Sequence, residues 1–164
     1  MSGLDAALAR LRAVQQRLDD HAAAGRPPGL TEPDPGGTER WEAGQVWAHL
    51  AEFPAYWLGQ IQHILQRRAE GDDEPIPFGR TKTDPGRIAA IERDRNEDPE
   101  ALLAKVRGGI STAVSQLDAL PADAWSARGL HPTRGEMTPA EILDRFIVDH
   151  LEEHADQLDQ LRDG

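Results

Sequence analysis

The stretch TPAEILDRFIVDHLEEHADQLDQL, residues 138–161, decides how the rest of the chain is read. Thr138, Pro139 and Glu141 form a T-x-x-E capping box with proline in the first turn, the clearest helix start in the sequence. From there Ile142, Leu143, Phe146, Ile147, Leu151, Leu158 and Leu161 recur at spacings of three and four, the stripe of a helix that lays one face on a core. His150 and His154 stand in that stripe. Leu143 and Ile147 precede His150 by seven and three residues, and Leu158 follows His154 by four, so both imidazoles face inward. One turn apart, their Cβ atoms lie roughly 5–6 Å from each other.

Three further helical patterns lie upstream. Leu4, Leu8, Leu11, Val14 and Leu18 mark the first, which stops at Gly25; the segment GRPPGLTEPDPGGT that follows is too rich in proline and glycine for a helix. The second begins near Trp41 and carries Val46, His49, Leu50, Phe53, Trp57, Ile61 and Ile64, with Pro54 expected to kink it one turn beyond His49. A polar, proline-rich connection, GDDEPIPFGRTKTDPG, then leads to a short helical piece near residues 87–95. Asp98 and Pro99 read as N-cap and first turn of the third long helix, through Leu102, Leu103, Val106, Ile110, Val114 and Leu117. No alternating strand pattern or internal repeat is present. The expectation is an all-α four-helix bundle with long inter-helix connections, one domain spanning 1–164, antiparallel or with crossovers.

Composition narrows the function classes. Leu, Ile, Val and Phe make up 33 of 164 residues, about a fifth, so burial has to be efficient. The net charge is −11, a surface that repels phosphate backbones and anionic headgroups, and no nucleic-acid or membrane partner is expected. No stretch approaches the roughly 18–20 apolar residues of a membrane span, and the N-terminus lacks a signal core, so a cytoplasmic protein is expected. Cysteine is absent, which removes disulfides, thiolate metal sites and a cysteine nucleophile. There is no G-x-S-x-G, phosphate loop or dinucleotide fingerprint.

Imidazole pairs at i and i+4 recur by chance on exposed helix faces, where they bind nothing; phase sets this pair apart. His49 adds a third, three residues after Val46 and four before Phe53, on the buried side of the second helix. Three inward imidazoles are costly to bury unless they share a partner, and a divalent cation supplies one. Three neutral nitrogens leave at least one coordination position for water or substrate, as in an open catalytic site. Zinc is the default by availability, with Ni, Cu and Fe(II) also suited to imidazole. Asp149 or Glu153 stands where it could orient a ligand histidine; otherwise Asp144, Glu152, Asp156 and Asp159 read as a solvated face. Tyr56 could donate a hydrogen bond near the site, while Trp41, Trp47, Trp57 and Trp125 read as core and loop anchors. His131 reads as a loop residue, and His21 and His63 as surface or boundary positions. Arg80, Arg87 and Arg134 fall in the connections, placed to meet an anionic substrate at the bundle mouth.

Three stretches carry a family resemblance: WEAGQVWAHLAEFPAYWLGQI at 41–61, DAWSARGLHPTRGEMTPAEIL at 123–143 and FIVDHLEEHADQL at 146–158. The chain resembles the DinB-like (YfiT-like) metal-binding four-helix-bundle superfamily, which includes thiol-dependent S-transferases and the metal-binding domain of mycothiol-dependent maleylpyruvate isomerase. The resemblance implies one metal ion held at the positions of His49, His150 and His154. It further implies S-transfer, in which the ion activates a low-molecular-weight thiol or water toward a small-molecule substrate. The other reading is a non-catalytic bundle in which the ion pins two helices for sensing or partner association. The resemblance allows a homodimer through bundle faces, although no residue pattern compels one. Pro54 and the long 71–86 connection depart from the family pattern.

Overall fold

In the computed structural model, which describes residues 3–164, four long helical elements bury a common core. They are α1 (Gly3–Ala23), α2 (Ala43–Ala69), α4 (Pro99–Asp118) and a composite last helix. This last helix begins as α5 (Pro139–Ile142), passes through a π-helical segment (Leu143–Val148) and continues as α6 (Asp149–Asp163). A shorter α3 (Pro85–Asp94) packs on α2. The apolar stripes meet as the periodicity requires. Leu11, Val14 and Leu18 of α1, Val46, Leu50, Phe53, Ile61 and Ile64 of α2, Leu102, Val106 and Ile110 of α4, and Ile142, Ile147, Leu151 and Leu158 of the last helix are all buried.

Local signals in the sequence account for the helix starts. The Thr138 hydroxyl accepts from the Glu141 backbone N–H, and the Glu141 carboxylate accepts from Thr138 N–H at 2.8 Å, closing the capping box. Asp98 caps α4 by accepting from Glu100 N–H, and Asp84 caps α3 by accepting from Arg87 N–H. A second capping box, Glu42 with Gln45, starts α2.

The structure corrects three of these expectations and extends one. First, the connections contain a small sheet: β1 (Ile76–Pro77) pairs in parallel with β2 (Gly129–His131), and β2 pairs antiparallel with β3 (Gly135–Met137). Proline is tolerated at such an edge because the ladder does not need its missing donor. Second, as an extension of the Pro54 reading, α2 stays helical through Pro54 from Ala43 to Ala69, and Gly109 of α4 packs against the Pro54 ring. Third, the acidic face of α6 is only partly solvated. Arg10 of α1 pairs with Asp149 and Glu152, and Arg17 with Asp156 and Asp159, so α1 is buttoned along the outside of α6. Fourth, His21 is buried, its Nε2 lying 2.7 Å from Asp159 Oδ1. His63 is exposed, as expected. No helix among the described residues is long and apolar enough to cross a membrane.

Candidate metal centre

His49 projects from the second turn of α2, His150 from the residue after the first position of α6, and His154 from one turn further on. Their ligand nitrogens all lie within 4.8 Å of one another, and the Nε2 atoms of His49 and His150 are 3.1 Å apart. The π-helical segment ends immediately before this pair. Across it, Asp149 N–H donates to the carbonyl of Asp144, five residues back instead of four. Such a wider turn offsets the register of the helix that follows and is a recurrent feature of functional sites.

Each imidazole has its other nitrogen engaged by an acceptor. His49 Nδ1 lies 2.8 Å from Glu52 Oε1, His150 Nδ1 lies 3.3 Å from the carbonyl of Phe146, and His154 Nδ1 lies 2.6 Å from Gln157 Oε1. An acceptor at Nδ1 fixes the proton there and leaves the Nε2 lone pair free, the tautomer a metal ligand needs. Burial and the mutual proximity of the rings push His49 and His150 well below the ordinary imidazole range. Burial lowers His154 to about 4, against the opposing bond to Gln157. The three rings are therefore neutral near pH 7, which suits coordination and disfavours a role as paired cations. The donor set thus fits a divalent cation on chemical grounds.

The groups that orient the histidines differ from those expected. Asp149 is committed to Arg10 and Glu153 to Arg145. Glu52 and Gln157 do the work instead, each three residues after the histidine it serves on the same helix. That i,i+3 spacing was a readable signal in the sequence. Glu52 is itself held by the buried Arg80 guanidinium at 2.5 Å, and Arg80 lies over the Tyr56 ring at 3.8 Å. Tyr56 thus supports Arg80 and so reaches the site indirectly.

Aromatic rings fix the imidazole planes. Phe53 stacks on His150 with centroids 3.9 Å apart; Trp41 lies parallel to His154 at 6.0 Å and edge-on to His49 at 5.5 Å. Trp41 reaches this position because Thr31 clasps the end of its loop. Thr31 N–H donates to the Trp41 carbonyl, and Trp41 N–H to the Thr31 hydroxyl, at 2.8 and 2.9 Å. Trp41, Trp47 and Trp57 are all buried in the core, as read from the sequence, and Trp41 and Trp57 also line the cavity.

The three histidines open into a cavity of about 890 Å³ whose wall includes Arg80, Arg87 and Arg134 from the connections. His131 also lines it. This residue ends β2 and is buried among Trp57, Phe78 and Phe146, which corrects the expectation of a loop position, while its Nδ1 accepts from Thr133 N–H in the turn that follows. Gly79 makes room for it: its φ of +91° excludes most side chains, and a Cβ there would collide with the His131 ring.

Comparison with known proteins agrees with this architecture. Residues 11–158 match the sequence model of the mycothiol maleylpyruvate isomerase N-terminal domain family. The fold is shared with YfiT from Bacillus subtilis, described as a probable metal-dependent hydrolase with an unusual four-helix bundle topology. That alignment has a TM-score of 0.70 at 21% identity and covers 96% of this chain and 85% of that one. It is shared also with the mycothiol-dependent maleylpyruvate isomerase (TM-score 0.66, 19% identity, 94% of this chain); this chain spans 60% of that protein's length. A third solved structure is the colibactin self-resistance protein ClbS in complex with double-stranded DNA (TM-score 0.64, 15% identity, 98% of this chain and 96% of that one). No curated protein sequence matches.

Proposed function

The chain belongs to the mycothiol maleylpyruvate isomerase N-terminal domain family, a DinB/YfiT-like family, and from that premise we propose that it is a metal-dependent enzyme that activates a small thiol. His49, His150 and His154 would hold one divalent ion through their Nε2 atoms, with zinc the ion favoured by availability. The observation that carries the reading is the convergence of three Nε2 atoms whose Nδ1 partners already have acceptors. A bound divalent ion supplies Lewis acidity, lowering the pKa of a thiol or water at its open position so that a nucleophile exists at neutral pH.

The protein's own residues do the rest. Glu52 and Gln157 hold the His49 and His154 rings in the required tautomer, and Arg80 holds Glu52. Phe53 and Trp41 restrict ring rotation and exclude water from one side. Since the chain has no cysteine, the thiol comes from a low-molecular-weight co-substrate. The reaction class is S-transfer to a small electrophile or a thiol-assisted isomerisation; hydrolysis, named for YfiT, is the same chemistry with water in place of the thiol.

The test has two stages. Native mass spectrometry and elemental analysis of purified protein should find one divalent ion per chain, lost on His154→Ala. Turnover of an electrophile with a panel of small thiols should then depend on that ion. Metal-loaded protein with no thiol-dependent turnover, but with hydrolysis, would replace S-transfer by the water reaction; absence of a stoichiometric ion would sink the reading altogether.

A further inference from the structure

The connection between α1 and α2 holds a loop that the metal reading leaves unused. Thr31 and Trp41, both buried, clasp its two ends together, and Arg40 Nε adds a bond to the Thr31 carbonyl at 2.9 Å. Between these ends all nine residues, 32–40, are exposed. Five of them, Glu32, Pro33, Asp34, Pro35 and Glu39, nevertheless line the cavity that holds the three histidines. A segment that walls a cavity without burying a side chain in the core has little to hold it down.

The shape of the loop is preset. Gly37 N–H donates to the Asp34 carbonyl at 2.9 Å; Pro35 fixes one corner of that turn, and Gly36, with a φ of +80°, takes the other. The apex is therefore a firm unit between two clasped ends. Among the described residues, a single ion pair, Asp34 with Lys82, bonds 32–40 to anything beyond the Thr31–Trp41 clasp. Lys82 is a fixed post, because the buried Arg87 guanidinium donates to its backbone carbonyl at 3.0 Å. Both partners line the cavity but come from different connections, so their bond joins one side of the rim to another. The two side chains are 66% and 53% exposed, and a pair so exposed is weak and screened by salt.

We propose that residues 32–40 are a lid on the cavity, hinged at the Thr31–Trp41 clasp and latched by the Asp34–Lys82 ion pair, and that its opening sets how fast small molecules reach the three-histidine centre. The lid rests on this geometry alone; the access it governs rests on the metal reading. The chain carries its own reporters of opening. The indole Nε1 atoms of Trp41 and Trp47 are both buried without a hydrogen-bond partner, so burial alone shields their protons from water. Trp41 lines the cavity together with the lid, whereas Trp47 is fully buried in the core.

Indole proton exchange with water, followed by NMR on the whole chain, should be faster at Trp41 than at Trp47. Lys82→Ala should speed it at Trp41 about two- to fivefold, the range that loss of an exposed ion pair allows. Raising KCl to about 1 M should do the same to the wild type and nothing to Lys82→Ala, with Trp47 unmoved throughout. Exchanging the charges, Asp34→Lys with Lys82→Asp, should restore the slow rate. Trp41 exchange as slow as that of Trp47, or unchanged by both Lys82→Ala and salt, overturns the lid; a charge exchange that restores nothing overturns the latch. If a variant does not fold, the salt dependence of the wild type decides.

Access is tested with Co(II) in the centre. Entry of 2-mercaptoethanol, timed in stopped flow through the thiolate charge-transfer band, should speed up in Lys82→Ala by the same factor as Trp41 exchange. Joining Asp34→Cys to Lys82→Cys with bis(maleimido)ethane, selective in a chain with no native cysteine, should slow both entry and Trp41 exchange. Entry that ignores the cross-link overturns the claim on access. If no Co(II) binds, the metal reading fails and the indole protons alone decide the lid.

Discussion

Glu52 offers the sharpest test of the centre, because one of its oxygens serves two neighbours. Oε1 accepts from His49 Nδ1 at 2.8 Å and from Arg80 Nη2 at 2.5 Å, and the Glu52 and Arg80 side chains are only 11% and 8% exposed. Glu52→Gln keeps an oxygen in place and removes the charge. Charge-assisted bonds contribute about 1.5–3 kcal/mol against about 1 kcal/mol for neutral ones, so the His49 bond should lose about 1.4 kcal/mol. Read through the metal, that is about tenfold in zinc affinity, at the low end of what an orienting group contributes. Glu52→Ala removes the acceptor as well. Zinc affinity should then fall by about 100-fold, and the uncompensated Arg80 should destabilise the fold by about 3 kcal/mol. Competition against a chromophoric zinc chelator measures the first quantity and urea unfolding the second. Wild-type zinc affinity in Glu52→Gln, with the protein folded, would refute the argument that the carboxylate orients His49.

Three other outcomes are expected. In the metal-free protein, the depressed folded-state pKa of His49, His150 and His154 means the unfolded chain binds more protons, so stability should be full above pH 6.5 and drop as pH falls toward about 4; urea midpoints flat across that window would contradict buried, neutral rings. Thr138→Ala removes a hydroxyl that caps the last helix and should cost about 1 kcal/mol, a drop of roughly 2–4 °C in thermal midpoint by calorimetry. Leu151→Ala empties a fully buried position beside His150 and should cost about 2–5 kcal/mol in urea unfolding, an effect near zero meaning that this face is not core.

Much of this molecule was legible in its residues, for physical reasons that also mark the gaps. Long amphipathic helices repeat their signal over several turns, so the stripes of α1, α2, α4 and α6 stand out, and the Thr138 and Asp98 caps locate two starts. The inward phase of His49, His150 and His154 followed from the same periodicity. The sheet did not, because strands of two and three residues are too short to show alternation, and β1 meets β2 only through the tertiary fold. The π-helical turn leaves no propensity mark. Arg10 and Arg17 were unreadable as partners of α6 because an acidic helix face looks the same whether water or another helix meets it. Glu52 and Gln157 were within reach of an i,i+3 scan; Glu153 sits at the same spacing from His150, and only the structure shows that Arg145 claims it, as Arg10 claims Asp149.

The clasp between Thr31 and Trp41 divides labour within the chain. The three histidines proposed to hold the ion stand on the long helices, while much of the cavity's rim, including Glu32, Asp34, Lys82, Thr83 and Arg134, comes from tethered connecting segments. Substituting those rim residues would alter which molecules are admitted without disturbing the helical scaffold. An engineer seeking new selectivity would leave the helices alone and vary the rim.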